Sequence, residues 1–371
     1  MNYLKITLLL GLPVLAGLMV AETFDPVEYV SPTRSEAPLP AQHLKTPAYV
    51  RGIYMTSWVA GTPSLRKGLI SFIEDSELNS VVIDVKDYTG QVSFLVSDAK
   101  LLAAGYGENR ISDLAELIGE LHSKNIYVIG RISVFQDPIL ARSHPELAIK
   151  KKSGVLWEDK KGLALIDPAA KDAWEYTVLV GREAERAGFD ELNFDYIRFA
   201  SDGDLSSMVY PFWDQKTPKA EVMEEFFKYL SAQLESSEVP ISADIFGLTT
   251  WNTDDLNIGQ VLETAARHFD YVSPMVYPSH YPPEFQGYKN PAAHPYEIIK
   301  TAMDRARERL VAMGTDPKKL RPWIQDFDLG ADYDASMVKL EKQAVYDAGL
   351  ESWLSWDPAN RYNREAYNRG L

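Results

Sequence analysis

From residue 51 onward the chain alternates two apolar patterns. Short, β-branched runs with polar ends recur eight times: RGIYMTSW (51–58), SVVIDVKD (80–87), IYVIGRISVF (126–135), ELNFDYIRF (191–199), ISADIFG (241–247), YVSPMVYP (271–278), RPWIQDF (321–327) and LESWLSW (350–356). Runs of this length and composition read as buried strands. Between them apolar residues recur at helical spacing. In ISDLAELIGELHSK (111–124), for example, Ile111, Leu114, Leu117, Ile118 and Leu121 fall on one face. Similar stretches occupy 64–77, 169–187, 219–236, 256–268, 294–312 and 334–348.

Strict alternation of strand and helix predicts an all-parallel α/β sheet. Eight strands in about 320 residues predict its closure into a single (β/α)8 TIM barrel over 51–371, in preference to an open doubly wound sheet. No strand is followed by a G-x-G-x-x-G turn or a G-x-x-x-x-G-K-[ST] loop, so the nucleotide-binding version lacks its fingerprint. After the eighth strand only Pro358 to Leu371 remain, so a short helical segment or the chain before the barrel must cover the last face.

The chain before the barrel divides in two. Lys5 precedes an uncharged apolar run from Ile6 to Ala21, followed by Glu22 and Asp25, which is the architecture of a signal peptide over 1–21. The run is shorter than the roughly 20 residues of a spanning helix, which favours export to the periplasm or the exterior. Met19 stands where a cleavage site prefers a small residue, so attachment to a membrane through uncleaved residues 6–21 is the other outcome. Residues 22–50 hold five prolines and no apolar period, and read as an irregular linker.

Composition narrows the chemistry. Of 371 residues, 46% are hydrophobic and 25% charged, enough for a large core, and a net charge of −15 with no basic block makes nucleic acid an unlikely partner. Zero cysteines exclude thiol nucleophiles, Cys-ligated zinc and disulfides. The six histidines form no H-x-x-x-H or H-x-x-H set and no serine sits in a G-x-S-x-G elbow, so neither a metal nor a cofactor is expected.

In such a barrel the loops after the strands build the site. The strand ends carry Asp84, Lys86, Arg131, Asp195, Arg198, Asp244, Tyr277, Gln325, Asp326, Trp353, Trp356 and Asp357. Buried parallel strands are normally continuous Val, Ile and Leu, because an unpaired ion in low dielectric costs several kcal/mol. One reading is a ring of structural pairs, Asp84 with Lys86 or Arg131 and Asp195 with Arg198. The other is catalytic. Asp195 and Asp244 fall on the expected neighbouring fourth and fifth strands, about 4.8 Å apart, close enough for the ~5–5.5 Å spacing of a nucleophile and an acid/base in a retaining glycosidase. Arg198 would keep Asp195 ionised, and Asp244, with no cation near it in sequence, would carry the raised pKa. Aromatic residues at strand ends would be flat platforms for sugar, with Trp251, Trp353 and Trp356 the foremost candidates. Asp84, Lys86, Arg131, Arg198, Tyr277, Gln325 and Asp326 complete the expected substrate-binding set.

FDELNFDYIRF (189–199), with LIDPAAKDAWEY (165–176) before it, resembles the bacterial glycosyl-hydrolase barrels grouped as a domain of unknown function. VVIDVKD with Gly90, IGRISVFQDP, SADIFGLTTW, SPMVYPSHY, RPWIQDF and the aromatic last strand extend the resemblance over about 50–362. That family is similar to the α-amylase-like barrels, and the resemblance implies Asp195 as nucleophile and Asp244 as acid/base. The fifth-strand acid of amylases is usually Glu, so Asp244 departs from the pattern by one methylene. The implied partner is a cell-envelope or extracellular polysaccharide or oligosaccharide. A catalytically weak carbohydrate-binding barrel in an envelope assembly is the alternative.

Overall fold

The computed structural model describes residues 42–369, so the expected signal segment and the first part of the linker lie outside the described residues. Residues 42–50 form no helix or strand, yet they are tied to the start of the barrel. The Leu44 N–H donates to Asp190 Oδ1 (2.7 Å) and the Thr46 hydroxyl lies 3.1 Å from the Tyr127 hydroxyl.

Eight parallel strands then close a barrel: β1 (Arg51–Met55), β2 (Ser80–Lys86), β3 (Tyr127–Ser133), β4 (Glu191–Asp195), β5 (Ile241–Phe246), β6 (Tyr271–Met275), β7 (Trp323–Gln325) and β8 (Trp353–Trp356). Each pairs with the next in sequence, and β8 returns to β1 through Arg51 opposite Trp353. Every expected strand is present, trimmed at its ends. The intervening helices are α1 (Pro63–Asp75), α2 (Leu114–Ser123), α3 (Lys171–Ala187), α4 (Lys219–Gln233), α5 (Leu262–His268), α6 (Pro295–Ala312) and α7 (Ala335–Asp347). Local chemistry sets their ends. Asp334 accepts the Ser336 and Met337 N–H groups at the start of α7, and Gly188, at φ 103°, closes α3 in the left-handed conformation a side chain resists.

Strand alternation divides the core into two layers. Ile53, Val81, Val128, Leu192, Phe194, Ala243 and Ile245 pack outward against the helices. Tyr54, Val82, Ile129, Trp323 and Leu354 fill the interior, where Asp84, Arg131, Asn193, Asp195 and Asp244 also lie. The polar residues that interrupt the apolar runs therefore meet one another instead of the helix layer.

The C-terminal segment closes the last face as one 3₁₀ turn, Arg364–Tyr367. The Tyr367 hydroxyl donates to Asp326 Oδ2 (2.7 Å) and lies 2.6 Å from Ser355 Oγ, so a single buried ring does the work of an eighth helix. Among the described residues no helix is long and apolar enough to cross a membrane.

Candidate active site

At the C-terminal ends of β3 to β8 opens a cavity of about 480 Å³. Its floor is an ionic network centred on Arg131. The Arg131 guanidinium donates from Nη1 to Asp84 Oδ1 (2.8 Å) and from Nε to Asp195 Oδ2 (3.1 Å), with Nη2 bonded to the same Asp195 oxygen. Its Nε lies 3.8 Å from Asp244 Oδ2. The Tyr54 hydroxyl donates to the second Asp84 oxygen (2.5 Å), and burial pushes the Asp84 carboxyl above the usual range despite Arg131.

Asp195 and Asp244 stand side by side because Phe194 registers with Ala243 across β4 and β5. Gln260 clamps the two strand ends by donating to the Ile197 and Asp244 carbonyls and accepting the Phe246 N–H. The two carboxyls have different surroundings. Asp195 is bound to Arg131 and accepts the Tyr196 N–H on Oδ1 (2.6 Å). Asp244 is 1% exposed, and its Oδ1 accepts the Asn193 amide (2.9 Å) and the Trp323 indole N–H (2.8 Å). Burial, and then the Asp195 charge, push the Asp244 carboxyl up to about 8.

Tyr196 adopts φ 54°, a left-handed conformation costing a side-chain-bearing residue about 1–3 kcal/mol, and it forms part of the cavity wall directly after Asp195. Strain of this kind persists where surrounding structure enforces it.

The structure brings Arg131, Asp195, Arg198, Asp244, Tyr277 and Trp356 to one cavity and places the other expected residues elsewhere. Asp84 supports it from beneath through Arg131. The cation on Asp195 is Arg131, whereas Arg198 makes no ion pair to Asp195 and bonds the Phe199 carbonyl (3.0 Å). Lys86 is turned away by a register shift after Asp84 that sets it opposite Ile132, and it is buried against Asp137 (2.6 Å). Gln325 is buried under the loop after β6, bonded to Ser279 and the Phe327 carbonyl. Asp326 faces Asn363 and Tyr367 at the C-terminal turn, where burial raises its carboxyl to about 6. Trp251 lies against Phe285, with the Arg305 guanidinium 4.1 Å from its ring.

Trp353 corrects the expectation most clearly. It is fully buried in the outer layer and donates to the Tyr346 hydroxyl on α7 (3.0 Å), so it presents no face to a ligand. Trp353→Phe is expected to lower stability by about 1–3 kcal/mol through the lost bond and the void, with KM unchanged. A raised KM at unchanged Tm would restore the platform role. By contrast Trp356, three residues on, faces the cavity stacked on Tyr54 at 3.9 Å, with Arg131 4.9 Å from its ring.

Sequence reading missed Asn193, Trp323 and Gln260, whereas His280 and Tyr281, which the sequence places just after the sixth strand, do line the cavity wall. Asn193 carried a signal, since it sits two residues before Asp195 and so shares its face of the strand. Among the described residues no group of three or more His, Cys, Asp or Glu is placed to hold a metal ion.

The model of a family described as "putative glycosyl hydrolase domain" matches residues 52–362. A solved structure of a hypothetical protein from Ruminiclostridium thermocellum is 32% identical, covering 56% of this chain and 98% of that one, with a TM-score of 0.48. The β-amylase catalytic domain of Paenibacillus polymyxa is 10% identical over 87% of this chain and 96% of that one, with a TM-score of 0.55. The Bacillus cereus spore cortex-lytic enzyme SleL is 10% identical over 86% and 73%, with a TM-score of 0.50. At that identity the last two likenesses speak to the barrel fold alone. No curated protein matches the sequence.

Proposed function

Since the chain belongs to this glycosyl hydrolase family, we propose that it is a retaining glycoside hydrolase with Asp195 as nucleophile and Asp244 as acid/base. The observation that carries the assignment is the unequal surroundings of two adjacent carboxyls: Asp195 is ion-paired to Arg131, whereas Asp244 is almost fully buried and 3.8 Å from the same guanidinium, and burial pushes its carboxyl up to about 8. Asp195 would attack the anomeric carbon while Asp244 gives its proton to the leaving oxygen. Asp244 would then take a proton from water as that water breaks the glycosyl ester and frees Asp195.

Spacing supports retention. One atom, Arg131 Nε, lies 3.1 Å from Asp195 Oδ2 and 3.8 Å from Asp244 Oδ2, so those oxygens are no further apart than the sum of the two distances. The ~5–5.5 Å of a retaining pair falls within that bound, which admits only the narrow end of the inverting range of ~6.5–9.5 Å. Trp356 would stack a sugar ring and Tyr277 would hydrogen-bond it. The signal-like segment supports action outside the cytoplasm, on a cell-envelope or extracellular polysaccharide.

The test is product release from a panel of glycans, with the anomer first released read by NMR. Retention supports the pair, and inversion removes Asp195 from the nucleophile role. Binding without cleavage of any glycan would make the chain a carbohydrate-binding barrel.

The pH profile follows from Asp244. Its raised pKa means the acid form is present below about pH 8 and lost above it, so kcat/KM should fall on the alkaline side with an apparent pKa near 8. Asp244→Asn should abolish that limb. It should lose turnover of natural glycan yet keep a first-step burst on an activated aryl glycoside, whose leaving group needs little protonation. An unchanged alkaline limb in Asp244→Asn would reassign the acid.

A further inference from the structure

With Arg131 serving Asp195, Arg198 is left as a second cation in the cavity wall, and the described ion pairs include none to it. Its Nη1 donates to the Phe199 carbonyl (3.0 Å), none of the hydrogen bonds among the described residues uses Nε or Nη2, and the half-buried side chain lines the cavity. The guanidinium carbon lies 4.9 Å from the Phe246 ring centroid and 5.4 Å from that of Tyr196. Such cation–π contacts hold the planar group in place without consuming an N–H.

Burial pulls the Arg198 pKa below the usual guanidinium range, as expected of a desolvated cation short of counter-charge. Asp202, at the exposed rim of the same cavity, is not within ion-pair distance. Every other interior cation of this site has its carboxylate: Arg131 has Asp84 and Asp195, and deeper in the barrel Arg321 has Glu191. A half-buried guanidinium with free in-plane donors matches the geometry of a carboxylate or sulfate.

We propose that Arg198 selects a sugar bearing a negatively charged substituent, a ring carboxylate or a sulfate ester, at the subsite beside Asp195. This rests on the glycosidase reading for the position of that subsite. The net charge of −15 does not oppose it at contact, because exposed charges more than about 8–10 Å away are screened at physiological salt.

The test is binding of three probes to the full chain, followed by NMR: methyl β-D-glucuronide, glucose 6-sulfate and methyl β-D-glucoside. At least one acidic probe should bind about tenfold or more tightly than the neutral one, the size of a charge-assisted bidentate contact. The acidic probe that binds identifies the substituent. Arg198→Met should bring the ratio close to one, and Arg198→Lys, which keeps the charge without the fork, should retain part of it. Equal binding of all three probes by the wild type, or a preference that survives in a folded Arg198→Met, overturns the proposal. The wild-type comparison decides even if the variants do not fold. Because the readout is binding, a chain that prefers acidic sugars yet cleaves nothing overturns the glycosidase reading while the anion subsite stands.

Discussion

Asp195→Asn is expected to lower kcat on every glycoside by about 10⁴-fold or more, the scale on which removal of a nucleophile is felt. An amide can neither form the glycosyl ester nor stabilise the charge developing at the anomeric carbon. An activated leaving group should not rescue it, in contrast to Asp244→Asn, since nucleophilic attack is required whatever departs. The fold should survive with a modest loss. Arg131 keeps Asp84, but the amide cannot offer oxygen both to Arg131 and to the Tyr196 N–H, so one donor is left unmade at about 1–3 kcal/mol. Full activity in this variant would remove Asp195 from the chemistry. Loss of activity only in step with loss of folded protein would make it structural.

Arg131→Met should be the most damaging single change to the fold of the site. Asp84 is 2% exposed, Asp195 6%, and both lose their ion-pair partner, as does the more distant contact to Asp244. Leaving buried charges uncompensated costs about 3–5 kcal/mol. The effect should depend on pH in a definite direction. Without the guanidinium, which opposes the effect of burial, the Asp84 carboxyl rises further, so above the unfolded value of about 4 the folded state binds more protons than the unfolded. Its stability then falls as pH rises. The Tm deficit relative to wild type should therefore be smallest near pH 4–5 and grow towards pH 8, and activity should be lost throughout. A deficit constant across that range would mean that packing against Trp356 and Tyr54, not charge, is what Arg131 supplies.

The barrel was legible because each of its strands is a β-branched run bounded by polar residues and each helix between them has one apolar face. β2 and α2 show both patterns cleanly. The carboxylate pair was legible for the same reason: charge in runs that should be wholly apolar marks the interior of the strands, and parallel order makes the fourth and fifth neighbours. Two errors came from not following the alternation to its end. Trp353 and Trp356 are three residues apart and so point to opposite sides of one strand, which already separates a packing residue from a cavity residue. Asn193 shares the face of Asp195 by the same rule.

Other features had no local signature. Lys86 shares its parity with Asp84, and only the register shift between them, a matter of how β2 lies on β3, sends it to Asp137. Arg198 is near Asp195 in sequence and Arg131 is 64 residues away, yet Arg131 makes the pair because β3 and β4 are adjacent in register, with Arg131 opposite Asn193. The indole of Trp323 reaches Asp244 from the next strand but one, 79 residues along the chain. Sequence by itself thus determined the elements, their order and the residues whose charge must be satisfied inside, since these follow from periodicity and the cost of burying ions. Which cation meets which carboxylate, which carboxyl is raised by burial and which arginine is left without an ion pair among the described residues were decided only by the closed barrel, because those outcomes depend on distances between side chains that sequence separation does not measure.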